Sequence, residues 1–177
     1  MIEIDLTAKV SKLADIEESV RGTLIKIGPN TIVDSFVKFK PAGGTGDITI
    51  DSDCVINSGC VFYSGNGIKV GKGVAIAANC TFAPVNHEFS KMDVPIRFQG
   101  FRPSKGGIII EDDVWIGANC VLLDGAKLHR GCVIAAGSIV RGEVSAYSIV
   151  GGNPLKILDK RKLNSLSWGQ EALLEDR

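Results

Sequence analysis

Between Ile110 and Val144 the chain reads IEDDVW-IGANCV-LLDGAK-LHRGCV-IAAGSI-VRGEV, a run with a strict period of six. An aliphatic residue opens each block: Ile110, Ile116, Leu122, Leu128, Ile134 and Val140. The fifth position is small or β-branched throughout, with Val114, Cys120, Ala126, Cys132, Ser138 and Val144. Neither the 2-residue period of a strand nor the 3.6-residue period of a helix produces this pattern. A fixed longer period marks a solenoid, in which no single repeat can bury its apolar face and the stack itself becomes the core. Each block then supplies one short strand and one corner. Three blocks make a triangular turn, and turns stack about 4.8 Å apart through parallel strand hydrogen bonds.

The same period extends upstream, with openers at Ile4, Val10, Ile16, then Ile27, Val33, Phe39, then Ile50, Ile56, Phe62, then Val70, Ile76, Phe82. The extra residues between these sets number 5, 5 and 2, with 22 more before Ile110. Every insertion follows a set of three blocks, so all of them should leave the solenoid at one corner. The expected positions are residues 22–26, 45–49, 68–69 and 88–109, in a stack of six turns. The long insertion contains EFSKMDVPIRFQGFRPSKGG (residues 88–107), beyond the usual length of a loop without a task. The segment after Val144 is expected to leave the solenoid. Ser167 and Gln170 are spaced as a capping box for a short C-terminal helix. The organisation expected is a β-helix domain over residues 1–158, with a loop at 88–109, and a helical tail over 159–177.

A chain of 177 residues with 45% hydrophobic content suffices for one well-filled domain. Twenty basic and twenty acidic residues cancel, which leaves no basic stripe for nucleic acid. No apolar run approaches the ~20 residues that span a bilayer, and MIEIDLTAKV has no signal-peptide character, so a cytoplasmic location is expected. All five cysteines (Cys54, Cys60, Cys80, Cys120, Cys132) fall in the compact fifth slot. That placement reads as buried thiols serving as small apolar residues, with no CxxC pairing for a metal or disulfide framework.

The hexad blocks, VWIGANC, IAAGSIV, the closing GGNPLKIL and NHEF before the long loop together resemble the hexapeptide-repeat acyltransferases. The nearest likeness is to the O-acetyltransferase branch, which holds the maltose and galactoside, xenobiotic and polysaccharide O-acetyltransferases. It is clearest over residues 70–158. The resemblance implies an all-β, left-handed parallel β-helix, the opposite of the hand that parallel crossovers normally take. It also implies acetyl-CoA as donor, no required metal, a sugar hydroxyl as acceptor in surface-polysaccharide biosynthesis, and a homotrimer.

There are two histidines, and the resemblance places the general base at His87, five residues beyond Phe82 where the long insertion departs. An imidazole titrating near neutral pH can take the acceptor's proton and return it to the departing thiolate. Glu88 is the candidate to hold the His87 tautomer. His129 receives no role. Asn57, Asn86 and Arg97 are the candidate acceptor contacts, with Gln99, Phe101 and Arg102 as further loop candidates. Asn86 and Asn66 also read as inward residues that satisfy corner backbone groups. For coenzyme A the candidates are Trp115, Ala118, Ala136, Gly137, Arg141, Lys156 and Arg161, with Lys160 as a further cation. The small ones leave room for a pantetheine arm, and the cations suit its phosphates. At Arg141 the run VRGEV departs from the family's Thr-Lys-Asp pattern. Alternatives are N-acylation of an amino sugar nucleotide and a noncatalytic solenoid. A γ-carbonic anhydrase fails on counting, because it needs three histidine ligands and this chain has two histidines.

Overall fold

The computed structural model describes residues 1–162. Three parallel sheets form the faces of a triangular prism. The first face stacks Ile2–Ile4, Ile25–Ile27, Ile48–Ile50, Ile68–Val70, Ile108–Ile110, Lys127–Leu128 and Glu143–Val144. The second stacks Lys9–Val10, Ile32–Val33, Val55–Ile56, Ala75–Ile76, Trp115–Ile116, Val133–Ile134 and Ser148–Gly151. The third stacks Asp15–Ile16, Lys38–Lys40, Val61–Tyr63, Thr81–Ala83, Val121–Leu123 and Ile139–Val140. This is the left-handed parallel β-helix that the resemblance implies.

Register explains why a period of six is needed. Ile50, Val70 and Ile110 pair in one ladder, as do Phe39, Phe62 and Phe82 in another, so like slots stack on like. The Phe39 and Phe62 ring centroids lie 4.9 Å apart and those of Phe62 and Phe82 lie 4.2 Å apart, an axial column of stacked rings. The openers from Ile27 to Val140 are buried, whereas Ile4 in the first turn is 42% exposed because nothing stacks below it. The fifth-slot cysteines are buried and free. They do more than fill space. The Sγ atoms of Cys60, Cys80 and Cys120 donate at 3.2 Å to the carbonyls of Ala77, Gly117 and Ala135 in the following turn. Burial also pushes the Cys132 thiol up to about 11.

Two corners are tight. Each turns on a residue with positive φ, among them Asn30, Asp53 and Asp113 at the first corner and Asn79, Asn119 and Gly137 at the second. Asn, Asp and Gly tolerate that backbone best. The third corner, between the third and first faces, carries every insertion: residues 17–24, 41–47, 64–67 and 84–107. The single-edge expectation therefore holds, but the residues assigned to it were too far along the chain. Ile25 and Lys26, Ile48 and Thr49, Ile68 and Lys69, and Ile108 and Ile109 lie in first-face strands, because those three-residue strands begin two residues before the repeat opener.

A second correction concerns the end of the stack. Residues 148–151 do not leave the solenoid but pair in parallel with Val133–Ile134, continuing a seventh turn that Glu143–Val144 begins. Lys156–Lys160 then returns antiparallel along Ser148–Gly151 and covers that edge, so the boundary drawn at 158 falls inside a strand. The capping-box helix lies outside the described residues. Among those described, the sole helical segment is a 3-10 turn at Ile96–Phe98, and no helix is long and apolar enough to cross a membrane.

Candidate active site

The long insertion leaves the third corner after Thr81–Ala83 and folds back on itself as two paired limbs. Glu88 N–H donates to the Gly100 carbonyl at 3.0 Å, and Arg102 N–H donates to the Asn86 carbonyl at 2.9 Å. His87 and Phe101 form the bridge between these bonds, with ring centroids 4.8 Å apart. Gln99 staples the outer part of the loop, since its Nε2 donates to the carbonyls of Lys91 and Val94 at 2.8 and 2.6 Å. Gln99 is thus committed to the loop's own backbone.

His87 is exposed, and among the described residues no side chain or backbone group hydrogen-bonds its imidazole. Both ring nitrogens are therefore without a partner among the described residues. Glu88 does not orient them. Its Oε1 accepts the N–H groups of Phe89 and Ser90 at 2.7 and 2.9 Å, and Arg102 Nε lies 3.7 Å away. Those two backbone donors, Ser90 first, hold the Glu88 carboxyl below the usual glutamate value. Two free N–H groups next to it in sequence outcompete the imidazole, so Glu88 is a loop-forming residue in this structure.

Beside the paired limbs runs a groove lined by Asn86, Phe89, Arg102, Lys105, Leu123, Asp124 and Arg141. Three cations thus converge near an exposed amide. The Arg102 guanidinium lies 4.0 Å from the Phe89 ring centroid, which fixes one of them by a cation–π contact. Asn86 is exposed, not inward as its slot implied, and it belongs to this groove. Asn66, one turn below, has a buried Nδ2 with no partner among the described residues. Arg97 sits outside the groove on the 3-10 turn, its guanidinium 4.9 Å from the Phe98 ring.

The donor candidates divide among three corners. Ala118 and the pair Ala136–Gly137 stack at the second corner, where Gly137 N–H donates to the Ala118 carbonyl at 2.8 Å. A Cβ built on Gly137 would meet nothing within 4 Å, so this strip is open. Trp115 lies 54% exposed on the adjoining second face, and Lys156 pairs with Gly151 at the far end of the strip. A long, thin amide-bearing arm fits along such a line. Arg141 lies instead at the third corner, in the groove beside Asn86. Arg161 is at the first corner, where Nη1 donates to Asp113 Oδ2 at 2.8 Å and to the Gly131 carbonyl at 3.0 Å. That commitment removes Arg161 from the donor strip. Asn57 stands at the second corner, its Nδ2 donating to the Ile76 carbonyl at 2.8 Å, with the third face between it and His87.

Two groupings escaped the sequence reading. Asp124 is buried and accepts the N–H groups of Lys105 and Gly107 at 2.8 and 2.9 Å. His129 bridges the carboxylates of the first-face turns on either side of its own, with Nδ1 3.0 Å from Glu111 and Nε2 3.4 Å from Glu143. Glu111 and His129 share the second slot of blocks one turn apart, which was a legible sign of contact. Among the described residues no group of three or more His, Cys, Asp or Glu is arranged to hold a metal ion.

Residues 107–142 match the family described as bacterial transferase hexapeptide (six repeats). Over 56 residues, 32% of this chain, the sequence is 55% identical to 2,3,4,5-tetrahydropyridine-2,6-dicarboxylate N-acetyltransferase from Clostridium perfringens. The Staphylococcus aureus enzyme of the same name is 48% identical over 56 residues. The matched segment spans about a quarter of those relatives' length, 24% and 23% respectively. Among solved structures, AntD, an N-acyltransferase from Bacillus cereus crystallised with dTDP and 3-hydroxybutyryl-CoA, superposes with a TM-score of 0.75 at 22% identity, covering 99% of this chain and 87% of that one. A hexapeptide-repeat containing acetyltransferase from Vibrio cholerae superposes with a TM-score of 0.58 at 26% identity, covering 89% and 72%. These likenesses support the hexapeptide-repeat acyltransferase fold and leave the O-acetyltransferase branch without support.

Proposed function

We propose that this chain is a coenzyme A-dependent acyltransferase whose acceptor is an amine, most simply the amino group of a nucleotide-linked amino sugar. The observation that carries the reading is His87, exposed and next in the chain to Asn86, which lines a groove with Arg102, Lys105 and Arg141, its imidazole unclaimed by any described residue. An anionic acceptor finds three cations there, and its nucleophile finds a base at the groove's edge. The preference for nitrogen over the hydroxyl expected from the resemblance rests on the relatives. The 56-residue segment that is 55% identical belongs to an N-acetyltransferase, and AntD has also been crystallised with dTDP-4-amino-4,6-dideoxyglucose and coenzyme A.

The chemistry follows from these groups. The neutral amine attacks the thioester carbonyl while His87 removes its proton, forming the C–N bond and a tetrahedral oxyanion. Backbone N–H groups stabilise that charge. Collapse breaks the C–S bond, and the imidazolium returns its proton to the coenzyme A thiolate. The donor lies along the strip of Ala118, Ala136 and Gly137, with Trp115 beside it and Lys156 at its phosphate end. Since His87 stands across the third face from that strip, a neighbouring subunit supplies the second half of each site, giving a homotrimer.

The test is thiol release from acetyl-CoA with paired acceptors, an amino sugar nucleotide and its hydroxyl counterpart. An amide product identified by mass confirms the reading. An ester formed only with the hydroxyl compound restores O-acetylation, for which the NHEF motif remains the argument. Absence of both turnover and coenzyme A binding leaves a noncatalytic solenoid.

A further inference from the structure

Asp124 occupies the third corner one turn above the point where the long insertion departs, between the strands Val121–Leu123 and Lys127–Leu128. It is 7% exposed, yet its carboxylate does not pair with a cation among the described residues. The two oxygens are divided between two backbone donors, Oδ2 accepting Lys105 N–H at 2.8 Å and Oδ1 accepting Gly107 N–H at 2.9 Å. Gly125 N–H donates to the Gly107 carbonyl at 2.7 Å and closes the ring. The backbone is shaped for this arrangement. Gly106 and Gly107 have φ of +106° and +75°, and a Cβ on Gly107 would stand 2.5 Å from the Gly67 carbonyl oxygen. A charged acceptor holding two N–H groups in a sheltered place makes stronger bonds than a neutral one.

The returning limb clamped at Lys105–Gly107 is the limb that pairs with His87. Arg102 N–H bonds the Asn86 carbonyl, and Phe101 bridges His87 and packs a ring 4.8 Å from its imidazole. The imidazole has no hydrogen bond of its own among the described residues, so its place is set by this backbone pairing and the Phe101 ring. We propose that Asp124 is a positioning residue: by clamping Lys105 and Gly107 it holds the returning limb in register and thereby fixes the place of His87 beside Phe101. The inference rests on His87 being the base proposed above, but the positioning itself can be read without turnover.

The experiment compares the full-length protein with its Asp124→Ala and Asp124→Asn variants. Amide hydrogen exchange over residues 84–107 should rise at least several-fold in Asp124→Ala while the strands keep their protection. With only two histidines in the chain, their imidazole NMR signals are separable. The His87 signals should move in Asp124→Ala and those of His129 should not. Turnover should fall about 10- to 100-fold, as misplacement of a catalytic group does, with KM for acyl-CoA changed less than about threefold. Asp124→Asn keeps one acceptor oxygen and should recover part of each effect, and it serves as the readout if the alanine variant fails to fold. Unchanged His87 signals and loop exchange in both variants would overturn the proposal. Lost turnover with an undisturbed loop would also overturn it, by making Asp124 a direct substrate contact. If the wild type transfers no acyl group, the function proposed above fails, while the exchange and NMR comparison still decides the role of Asp124.

Discussion

Arg161 Nη1 and Asp113 Oδ2, 2.8 Å apart across the first corner, fasten the antiparallel end strand to the fifth turn of the stack. The Arg161 and Asp113 side chains are 43% and 57% exposed, so solvent screens the pair and its contribution is about 0–1 kcal/mol. Arg161→Ala should lower stability by no more than that in chemical denaturation and leave KM for acyl-CoA unchanged. A tenfold rise in KM would return Arg161 to the donor site.

Removing the imidazole at position 87 should reduce turnover by about 10²–10⁴, the usual contribution of general acid–base catalysis. Donor affinity measured by calorimetry should stay near wild type, because the strip proposed for the donor lies at another corner. Near-normal turnover of a His87→Ala variant would eliminate it as the base.

The phenylalanine column sets the cost of a void. Phe62 is fully buried between Phe39 and Phe82, so Phe62→Ala should destabilise the fold by about 3–5 kcal/mol. Phe62→Leu should cost far less. Equal losses in urea unfolding would mean that the column contributes by something other than volume.

Acid should weaken the first-face rung. Glu111 accepts the Arg130 N–H at 2.9 Å and contacts His129, and these interactions, the backbone bond first, hold its carboxyl below the ordinary 4.5. A depressed folded value means stabilisation that is complete above the unfolded value and lost as pH falls through the folded one. Glu111→Gln should therefore destabilise at pH 7, and the gap from wild type should narrow below about pH 4.5 as both carry a neutral side chain. A constant gap down to pH 2 would contradict that linkage.

The outward residues of the second face, Ile32, Val55, Ala75, Trp115, Val133 and Ile149, form one continuous apolar column. The first face is mostly polar in the same row, with Lys26, Thr49, Lys69, Lys127 and Glu143 around Ile109. Val121, Leu123, Val133 and Ile139, apolar residues in strands of the second and third faces, are half-buried. If the second face is the subunit contact, sedimentation should give about three times 18.8 kDa. Val55→Glu should yield an inactive monomer. A fully active species at the single-chain mass would refute the shared site.

The sequence revealed the coil because its register admits only one inward slot pattern, and Ile110, Leu122 and Leu128 could be assigned to the core from spacing alone. It revealed the edge that carries the insertions for the same reason. The side-chain commitments of Glu88 and Arg161 were hidden. Glu88 is claimed by N–H groups whose direction depends on the loop's fold, and Arg161 by a strand that reverses after the repeat has ended. Asp124 was hidden for a third reason, since its partners lie 17 and 19 residues earlier on a limb with no periodicity.

The confinement of every insertion to the third corner divides the chain into a part that can vary in length and a part that cannot. One residue added at the first or second corner would invert the following strand and turn its apolar side chains to water. A residue added in the outer part of the long loop, between Glu88 and Gly100, displaces nothing in the coil. Exchange of that single segment between proteins of this architecture would therefore carry a new set of loop side chains, beside His87, onto an unaltered scaffold.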